Sequence, residues 1–275
     1  MKTWFITGCS TGFGRLLAER AFSIGDNVVA TARSAQSLGD LGNGDRQRIL
    51  RLPLDVLDRA QIDAGVTLAR ERFGEIDVLV NNAGYGYFAT QEEGEIEEVR
   101  RMFETNVFGL ISMMQAVLPH MRRRSSGTIV NLSSISGRIA TPRGGFYQSS
   151  KWAVEALSES LYLEVSGFGI RVLVIEPGSY ETDFSTRSAR VAPGESDPKS
   201  PYANLRERWK ANATRKIFPS RQDPVEVIDA IIDAVHSDLR FVRLPVGVDA
   251  TSILQRRAQA RGGEFVEWMR ETYYE

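Results

Sequence analysis

The 275-residue sequence has few of the residues that bind metals or form disulfides. Its single cysteine, Cys9, excludes an intramolecular disulfide, and no histidine lies near it in sequence to activate the thiol. Its two histidines, His120 and His236, exclude a histidine-rich metal site. We therefore expect a protein without a metal, in which Cys9 fills space in a loop.

Long apolar runs and an imbalance of charge are also missing. No run approaches the roughly 18 residues that cross a bilayer. The formal net charge of −1 gives no electrostatic reason to expect binding to nucleic acid or to an anionic membrane. The opening residues MKTWFITG enter a predicted strand at once, which leaves no room for a signal peptide. The expected location is cytoplasmic.

The sequence does contain a regular alternation of strand-length apolar runs and helix-length stretches. This alternation predicts βαβ units, and hence an α/β fold with a mostly parallel sheet covered by helices on both faces. We find no internal repeat and no domain boundary before Pro177, and we predict a single domain over residues 1–275. The predicted strands are Thr3–Thr7, Asn27–Ala32, Ile49–Leu54, Asp77–Asn81, Gly127–Leu132, Arg171–Ile175 and Arg240–Leu244.

The composition changes after Pro177. Segment 183–222 contains RSARVAPGESDPKSPYAN, which is rich in proline, glycine, serine and charge, followed by a short helical stretch, LRERWKAN. A long insertion in a compact domain is more often a lid or a binding loop than a linker, so we predict a substrate lid here. The C-terminal segment from Thr251 is predicted to be helical and amphipathic.

A glycine-rich segment, TGCSTGFG at residues 7–14, joins the first predicted strand to the first predicted helix. Such a turn lets backbone N–H groups and a helix N-terminus approach a pyrophosphate closely. Gly8, Gly12 and Gly14 have the spacing G-x-x-x-G-x-G instead of the usual dinucleotide fingerprint G-x-G-x-x-G. A glycine turn is also a common structural joint, but its position here favours dinucleotide binding.

The end of the second predicted strand lacks the carboxylate that holds the ribose 2′-hydroxyl in NAD-specific sites of this type. No acid stands between Asp26 and Asp40, and Arg33 follows the strand directly. A guanidinium attracts a 2′-phosphate, whereas a carboxylate repels it. Unless Arg33 is an ordinary solvated arginine, the sequence indicates NADP(H) in preference to NAD(H).

Tyr147 and Lys151 are four residues apart in FYQSSKWAVEAL, and on a helix they share one face. Ser134 lies just after the predicted strand GTIVNL, where residues of a parallel sheet face the ligand crevice. These residue types suit carbonyl reduction, because a serine can orient the substrate oxygen and a phenol can supply a proton. An adjacent ammonium, together with the positive oxidised nicotinamide ring, favours the phenolate, so we expect these two charges to lower the pKa of Tyr147.

These motifs, in this order, resemble those of the single-domain short-chain dehydrogenases/reductases. The family's Thr-Gly-x-x-x-Gly-x-Gly, Asn-Asn-Ala-Gly and Pro-Gly-x-x-x-Thr motifs appear as TGCSTGFG, NNAG at 81–84 and PGSYET at 177–182. Its Asp-hydrophobic pair matches Asp55-Val56, and its mid-helix asparagine matches Asn106. TGCSTGFG and NNAGYG also resemble the hydroxysteroid and retinol dehydrogenase branch.

The resemblance implies a Rossmann-like, doubly wound, seven-stranded sheet with strand order 3-2-1-4-5-6-7. It also implies a homodimer or homotetramer formed through helices near 97–124 and 147–167. It assigns Tyr147 as general acid/base, Lys151 as binder of the nicotinamide ribose and Ser134 as binder of the substrate oxygen, while Asn106 would hold a water of the proton relay. The implied cofactor-binding residues are Gly8, Ser10, Thr11, Gly12, Phe13, Gly14, Arg33, Asp55, Val56, Asn82, Ala83, Gly84, Tyr147, Lys151, Pro177, Gly178 and Thr182.

Aromatic residues are expected around the substrate. Aromatic walls with few fixed charges favour a bulky lipophilic ketone, aldehyde or alcohol, although the same rings could be core or lid packing. Arg138 and Arg143 could instead bind an acidic substrate. The predicted pocket residues are Tyr85, Tyr87, Phe146, Tyr180, Phe184 and Trp209.

Two other functions share parts of this pattern. A non-catalytic NADP(H)-binding sensor or structural protein would keep the fold, but such proteins usually lose the tyrosine or the lysine, and both are present. A sugar-nucleotide epimerase or dehydratase would share Tyr-x-x-x-Lys, but it would resemble a longer chain with G-x-x-G-x-x-G spacing. The sequence therefore favours an NADP(H)-dependent oxidoreductase that acts on a small molecule.

Overall fold

The computed structural model describes residues 1–42, 45, 47–218 and 221–274, without the side chains of Ser185 and Val242. Along the chain, strands and helices alternate. The first half contains β1 (Thr3–Ile6), α1 (Gly12–Ser23), β2 (Asn27–Ala32), β3 (Ile49–Pro53), α2 (Arg59–Phe73), β4 (Val78–Asn81), β5 (Gly86–Phe88), α3 (Ile96–Phe103), α4 (Leu110–Arg123) and β6 (Gly127–Leu132). The second half contains α5 (Gly145–Val165), β7 (Ile170–Pro177), β8 (Ala189–Val191), α6 (Ala203–Asn212), α7 (Val225–His236), β9 (Phe241–Val246), α8 (Val248–Gln259) and α9 (Glu264–Tyr274).

Seven strands form one sheet in the order β3-β2-β1-β4-β6-β7-β9. All neighbouring pairs in it are parallel, and Phe5 at its centre is in register with Val29 on one side and Leu79 on the other. The chain builds outward from β1 in one direction and from β4 in the other, which is the doubly wound arrangement. The Rossmann-like α/β fold and the strand order are therefore confirmed.

The central strands are buried on both faces because they are almost entirely apolar. Trp4, Phe5 and Ile6 of β1 have no exposed surface. One face of the sheet packs against α1 and α7, and the other packs against α2, α4 and α5. The two apolar layers fix the sheet and hold the carboxyl ends of its strands along one edge.

The helix expected near 97–124 is interrupted between α3 and α4. The turn Glu104–Gly109 is π-helical, and it contains Asn106. Such turns are often found at functional sites. The apolar periodicity continues through it, so the sequence pattern does not reveal the break.

A second, two-stranded sheet ties the predicted lid segment to the loop after β4. β8 pairs in parallel with β5, with Gly86 opposite Ala189 and Phe88 opposite Val191. Strands of three residues have too short a pattern to recognise in the sequence, and this sheet was not predicted. The predicted helical stretch lies within α6, while residues 219 and 220 of the segment are outside the described residues.

The C-terminal segment is helical, as predicted, and forms α8 and α9. The two helices are joined by a turn in which Gly262 has a φ of 52°. They pack with α6 and with the loop after β6 in a separate apolar cluster that includes Ile135, Trp209 and Phe265. The C-terminal helices therefore support both the lid and one wall of the sheet edge.

Candidate active site

A cleft of about 570 Å³ opens at the carboxyl ends of the strands. It is bounded by the loops after β1, β2, β3, β4, β6 and β7, at the point where the strand order reverses. Ligands of open parallel α/β sheets bind at this point. Segment 183–222, which is predicted to be a lid and is called the lid below, contributes Phe184, Arg187 and Ser188 to the wall.

The glycine loop after β1 brings backbone N–H groups to the cleft. Gly8 and Gly12 have φ values of 74° and 59°, a conformation that favours glycine. A Cβ at Gly8 would lie 3.0 Å from the Cα of Ala83, so a side chain there would press on the loop after β4. α1 begins at Gly12 on the cleft wall, and its N-terminus attracts anions.

Gly14 was predicted as a cofactor-binding residue, but it lies behind the loop and does not line the cleft. It is buried, and a Cβ there would lie 2.5 Å from the carbonyl oxygen of Gly8. Its lack of a side chain allows α1 to pack closely on the loop. Ser10, Thr11 and Phe13 do line the cleft, as predicted.

Thr7 joins the glycine loop to the loop after β4. Its Oγ1 accepts hydrogen bonds from the backbone N–H groups of Asn82 and Ala83, each at 3.0 Å. The Asn82 side chain donates in return to the carbonyl oxygens of Thr7 at 2.8 Å and Gly8 at 3.0 Å. The motif contained Thr7, but the sequence alone does not show that its hydroxyl bridges two loops.

The cleft wall is strongly basic. Arg33 follows β2 and is exposed, and among the described residues its guanidinium has no hydrogen-bond or ion-pair partner. Asp55 is the single acid on the described part of the wall, so an anionic ligand is favoured there. The cationic residues of the wall are Arg33, Lys151, Arg187, Arg190 and Arg221, of which the three lid arginines were not predicted.

Tyr147 and Lys151 lie on the first two turns of α5 and line the cleft together with Ser134. Lys151 Nζ donates to the Leu132 carbonyl oxygen at 2.6 Å and lies 5.9 Å from the centroid of the Tyr147 ring. The Ser134 hydroxyl accepts a hydrogen bond from the Ser136 N–H at 3.1 Å. The three residues predicted from spacing therefore meet in one place.

Burial governs the titration of Tyr147 and Lys151. It raises the pKa of Tyr147 above its usual range, and the hydrogen bond with Ser134 opposes this only in part. It lowers the pKa of Lys151 to about 8, while the Glu155 carboxylate acts in the opposite direction. For the chain by itself burial dominates the pKa of Tyr147, and the lowering predicted from the Lys151 ammonium together with the oxidised nicotinamide ring stays a prediction. The phenol is held protonated, as a proton donor requires.

Asn106 does not line the cleft with its side chain. Its Oδ1 accepts from the Tyr85 N–H at 2.9 Å, and its Nδ2 donates to the Tyr85 carbonyl at 2.8 Å and to Ser150 Oγ at 3.0 Å. It therefore holds the loop after β4 against α5, close to Tyr147. Its role in a proton relay stays a prediction.

Tyr85, Tyr180 and Phe184 line the cleft, as predicted. The Tyr180 hydroxyl donates to Glu226 Oε2 at 2.9 Å, which fixes this ring in the wall. The ring of Phe184 lies 5.5 Å from that of Tyr147, centroid to centroid. The lid thus covers the phenol with an aromatic side chain.

Tyr87, Phe146 and Trp209 do not line the cleft, and their placement in the pocket was wrong. Neighbouring residues of a strand face opposite sides, so β5 turns Tyr87 away, against Phe146. Trp209 lies on the face of α6 that packs against the C-terminal helices. Phe88, which was not predicted, lines the cleft instead, with its ring 5.5 Å from that of Tyr147.

A group of buried and half-buried ionic residues, which we call the lid clasp, connects the lid to the rest of the domain. Arg206 of α6 pairs with Glu93 in the loop after β5, and its Nε lies 3.5 Å from Glu195 Oε1. Arg143, just before α5, pairs with Glu195 as well. The Glu93 carboxylate also accepts hydrogen bonds from Thr90 and Ser200. The clasp thus connects the lid to the elements that carry Phe88 and Tyr147.

The lid clasp predicts a defined loss of stability in acid. The Arg206 guanidinium and the two hydroxyls hold the pKa of Glu93 at about 2, below its ordinary value of 4.5. The contribution of the carboxylate is therefore complete above pH 4.5 and is lost as the pH falls to about 2. In urea titrations, Glu93→Gln should be less stable than the wild type at neutral pH and equal to it near pH 2. A difference that does not change with pH would contradict this.

Within residues 1–42, 45, 47–218 and 221–274, metal-ligand clusters and membrane-spanning helices are both absent. There, no three histidine, cysteine, aspartate or glutamate side chains come together in a way that could hold a metal ion. In the same residues, no helix is both long and apolar enough to cross a membrane. Cys9 donates to the Ile6 carbonyl, and burial raises the pKa of its thiol to about 12, so it is an unreactive part of the loop.

Sequence and structure comparisons place these features among known proteins. A profile of the family described as short chain dehydrogenase matches residues 2–191. Oxidoreductase BOA17 of Botryotinia fuckeliana (strain B05.10) is 36% identical over 269 residues, which are 97% of this chain and 96% of that protein. A short-chain dehydrogenase from Streptomyces avermitilis has a TM-score of 0.85 and 36% identity, covering 99% of this chain and 98% of that one. An alcohol dehydrogenase from the archaeon Thermococcus sibiricus, complexed with 5-hydroxy-NADP, has a TM-score of 0.73 and 27% identity, covering 90% of this chain and 97% of that one.

Proposed function

Because the chain belongs to the short-chain dehydrogenase family, we propose that it is an oxidoreductase that uses NADP(H) to interconvert a ketone or aldehyde and an alcohol. One observation carries the proposal: Ser134, Tyr147 and Lys151 meet in a cleft that also contains the glycine loop. A protein that only sensed NADP(H) would need the glycine loop and Lys151 to bind the cofactor, but it would need neither a serine for a substrate oxygen nor a proton donor. We therefore favour turnover over the sensor function.

The cleft fits a phosphorylated dinucleotide. Gly8 and Gly12 line the cleft with their backbone, and the pyrophosphate would bind beside them near the N-terminus of α1. Arg33 would bind the 2′-phosphate, and Asp55 and Val56 would contact the adenine. Near the other end, Lys151 would bind the nicotinamide ribose and Thr182 the carboxamide. The NADP derivative in the Thermococcus sibiricus relative supports this choice of cofactor.

When bound, the nicotinamide supplies or accepts the hydride. The residues of the chain position the substrate and move the proton. Ser134 would hold the substrate oxygen, and the protonated Tyr147 would donate its hydrogen to that oxygen during reduction. The Lys151 ammonium would bind the ribose and favour the phenolate that remains.

We propose a bulky lipophilic substrate. Tyr85, Phe88 and Phe184 supply the aromatic wall on the Tyr147 side of the cleft. Arg138 and Arg143, the candidates for an acidic substrate, are paired with Glu176 and Glu195. These pairings weaken the case for an acidic substrate at those two arginines.

The remaining proposals concern the whole protein. We propose one domain with a lid at 183–222, a cytoplasmic location, and a homodimer or homotetramer formed through α4 and α5. Leu163 on α5 is 74% exposed and Phe108, just before α4, is 51% exposed, which supports contacts at these helices. Sedimentation equilibrium would test the oligomeric state.

We expect Arg33→Asp to reverse the cofactor preference. The carboxylate would repel the 2′-phosphate and could accept a hydrogen bond from the 2′-hydroxyl of NADH. The loss of a charge-assisted contact and its replacement by repulsion should lower kcat/KM for NADPH by roughly 100-fold. Arg59→Asp makes the same charge change outside the cleft and should leave the NADPH:NADH ratio unaltered. An unchanged ratio in Arg33→Asp would remove Arg33 from the cofactor site.

The direct test of the proposed function is NADPH oxidation with a panel of lipophilic ketones and aldehydes, with the alcohol product quantified. One NADPH consumed per alcohol formed would support it. Tight NADPH binding without turnover on any member of the panel would support a sensor instead. Conversion of substrate without net consumption of NADPH would indicate an epimerase-type reaction, in which the cofactor is recycled.

A further inference from the structure

A cluster of charged residues lies behind the cleft, on the side of α5 that faces β7 and β9. Glu155 and Glu176 are 5% and 1% exposed. Arg243 Nε lies 3.1 Å from Glu155 Oε2 and 3.9 Å from Glu176 Oε1, and Arg138 binds Glu176 at 2.9 Å. Neither glutamate is used by the proposed reaction, although Glu155 follows Lys151 by one helical turn.

One oxygen of Glu155 is buried without a partner. Among the described residues, nothing donates a hydrogen bond to its Oε1. The nearby Ser133 Oγ also has no hydrogen-bond partner among them, either as donor or as acceptor. Both atoms face the empty Cβ position of Gly137, at 3.1 and 2.6 Å. A buried carboxylate oxygen without a hydrogen-bond partner carries a desolvation cost that no contact repays.

The surrounding charges are unequal in number. Two arginines, Arg138 and Arg243, face three carboxylates, because Glu159 on the next turn of α5 also binds Arg243 at 2.7 Å. Burial, together with repulsion from Arg138, lowers the pKa of Arg257 on α8. Burial, together with repulsion from Glu155, raises the pKa of Glu176 to about 7.

The remaining charged neighbour of Glu155 is Lys151. Its Nζ is held by the Leu132 carbonyl, which is neutral, and it has no carboxylate within ion-pair distance among the described residues. Burial therefore acts against the ammonium, and the negative charge of Glu155 acts for it. Arg243 holds the Glu155 carboxylate in place from the β9 side.

We propose that Glu155 is a positioning residue whose buried carboxylate, held by Arg243, keeps Lys151 as an ammonium at the pH of the reaction. The inference rests on the proposed function, in which the positive charge of Lys151 helps to bind the cofactor ribose and stabilises the Tyr147 phenolate. Glu155 acts through Lys151 and touches neither substrate nor cofactor.

The test compares Glu155→Gln with the wild type, using the titration of Lys151 as the readout. The sequence has five lysines, so reductive methylation with ¹³C-formaldehyde gives few NMR signals, and each reports the titration of one lysine. Wild-type Lys151 should titrate near pH 8. In Glu155→Gln its midpoint should fall by about one pH unit, and the alkaline limb of kcat/KM should fall with it.

Glu159→Gln is the matched control, because it removes an exposed carboxylate that binds the same arginine one turn farther along α5. It should leave the Lys151 titration and the alkaline limb in place, and Glu155→Asp should restore most of the wild-type midpoint. A Glu155→Gln protein that loses activity equally at all pH values, with Lys151 titrating as in the wild type, would overturn the proposal.

Two cases need separate treatment: a Glu155→Gln protein that does not fold, and a wild type without turnover. If Glu155→Gln fails to fold, Glu155→Met removes the charge and the unpartnered oxygen together, and the same fall in the Lys151 midpoint is expected. If the wild type shows no turnover, the proposed function fails, but the NMR titration still shows whether Glu155 controls the charge of Lys151.

Discussion

Replacement of Tyr147 by phenylalanine should lower kcat/KM for ketone reduction by about 100- to 10,000-fold, or roughly 3–5 kcal/mol of transition-state stabilisation. The phenol supplies the proton for the substrate oxygen, and burial keeps it protonated through neutral pH. The ring itself packs between Phe88 and Phe184, and phenylalanine keeps those contacts. The loss should therefore appear in the chemical step and not in folding. NADPH oxidation at pH 7, under single-turnover and steady-state conditions, measures it.

Tyr85→Phe is the matched control for this experiment. It removes a hydroxyl from another cleft-lining tyrosine, whose ring is covered by the Arg190 guanidinium at 4.7 Å. We expect less than about a tenfold change, since this hydroxyl has no part in the proposed proton transfer. NADPH affinity, followed by fluorescence titration, should be similar in all three proteins. Equal turnover of wild type and Tyr147→Phe would end the assignment of Tyr147 as the proton donor.

Removal of Arg206 should release the lid. Its side chain is 6% exposed, and its loss leaves the carboxylates of Glu93 and Glu195 facing each other without their shared cation. Breaking a buried ion pair in this way costs about 3–5 kcal/mol. We expect Arg206→Ala to raise amide hydrogen exchange in α6 and β8 by at least roughly 100-fold. Because β8 holds Phe88 through β5, KM for a lipophilic ketone should rise as well.

Lys210→Ala tests whether the effect belongs to the lid clasp. Lys210 lies on the same helix, is exposed, and its side chain makes no hydrogen bond or ion pair among the described residues. This variant should exchange like the wild type and keep its KM. Slow exchange of α6 in Arg206→Ala would mean that the apolar cluster around Trp209 alone holds the lid closed.

The parts of the site that could be predicted are the residues whose type and local spacing in the sequence indicate their chemistry. Gly8 and Arg33 each directly follow a predicted strand, and Tyr147 and Lys151 share one helix face. A parallel sheet brings all strand ends to one edge. Their meeting in the cleft needed only the strand order. Gly14 shows where such spacing misleads. Its position in the glycine motif predicts a cofactor contact, but it packs against the carbonyl of Gly8.

The parts that could not be predicted depend on which face of a short element turns inward. Tyr87 and Phe88 are neighbours, and only the pairing of β5 with β8 decides which of them reaches the cleft. Trp209 is an aromatic residue in the lid, but the partner that covers it, α9, comes some sixty residues later. The pKa of Tyr147 was predicted from its charged neighbour, whereas burial, which no local pattern gives, dominates it.

The cluster that joins α6 to α8 and α9 has a consequence for exchanging substrate specificity between relatives. The Asn212 side chain of the lid donates to the Tyr273 carbonyl, and Trp209 packs in the same cluster as Phe265. A chimaera that receives a foreign 183–222 segment alone would therefore join half of one apolar core to half of another. Transplanting segment 183–222 together with α8 and α9 of the same relative keeps the two halves of this apolar core matched. It leaves the nucleotide-binding part of the recipient unchanged.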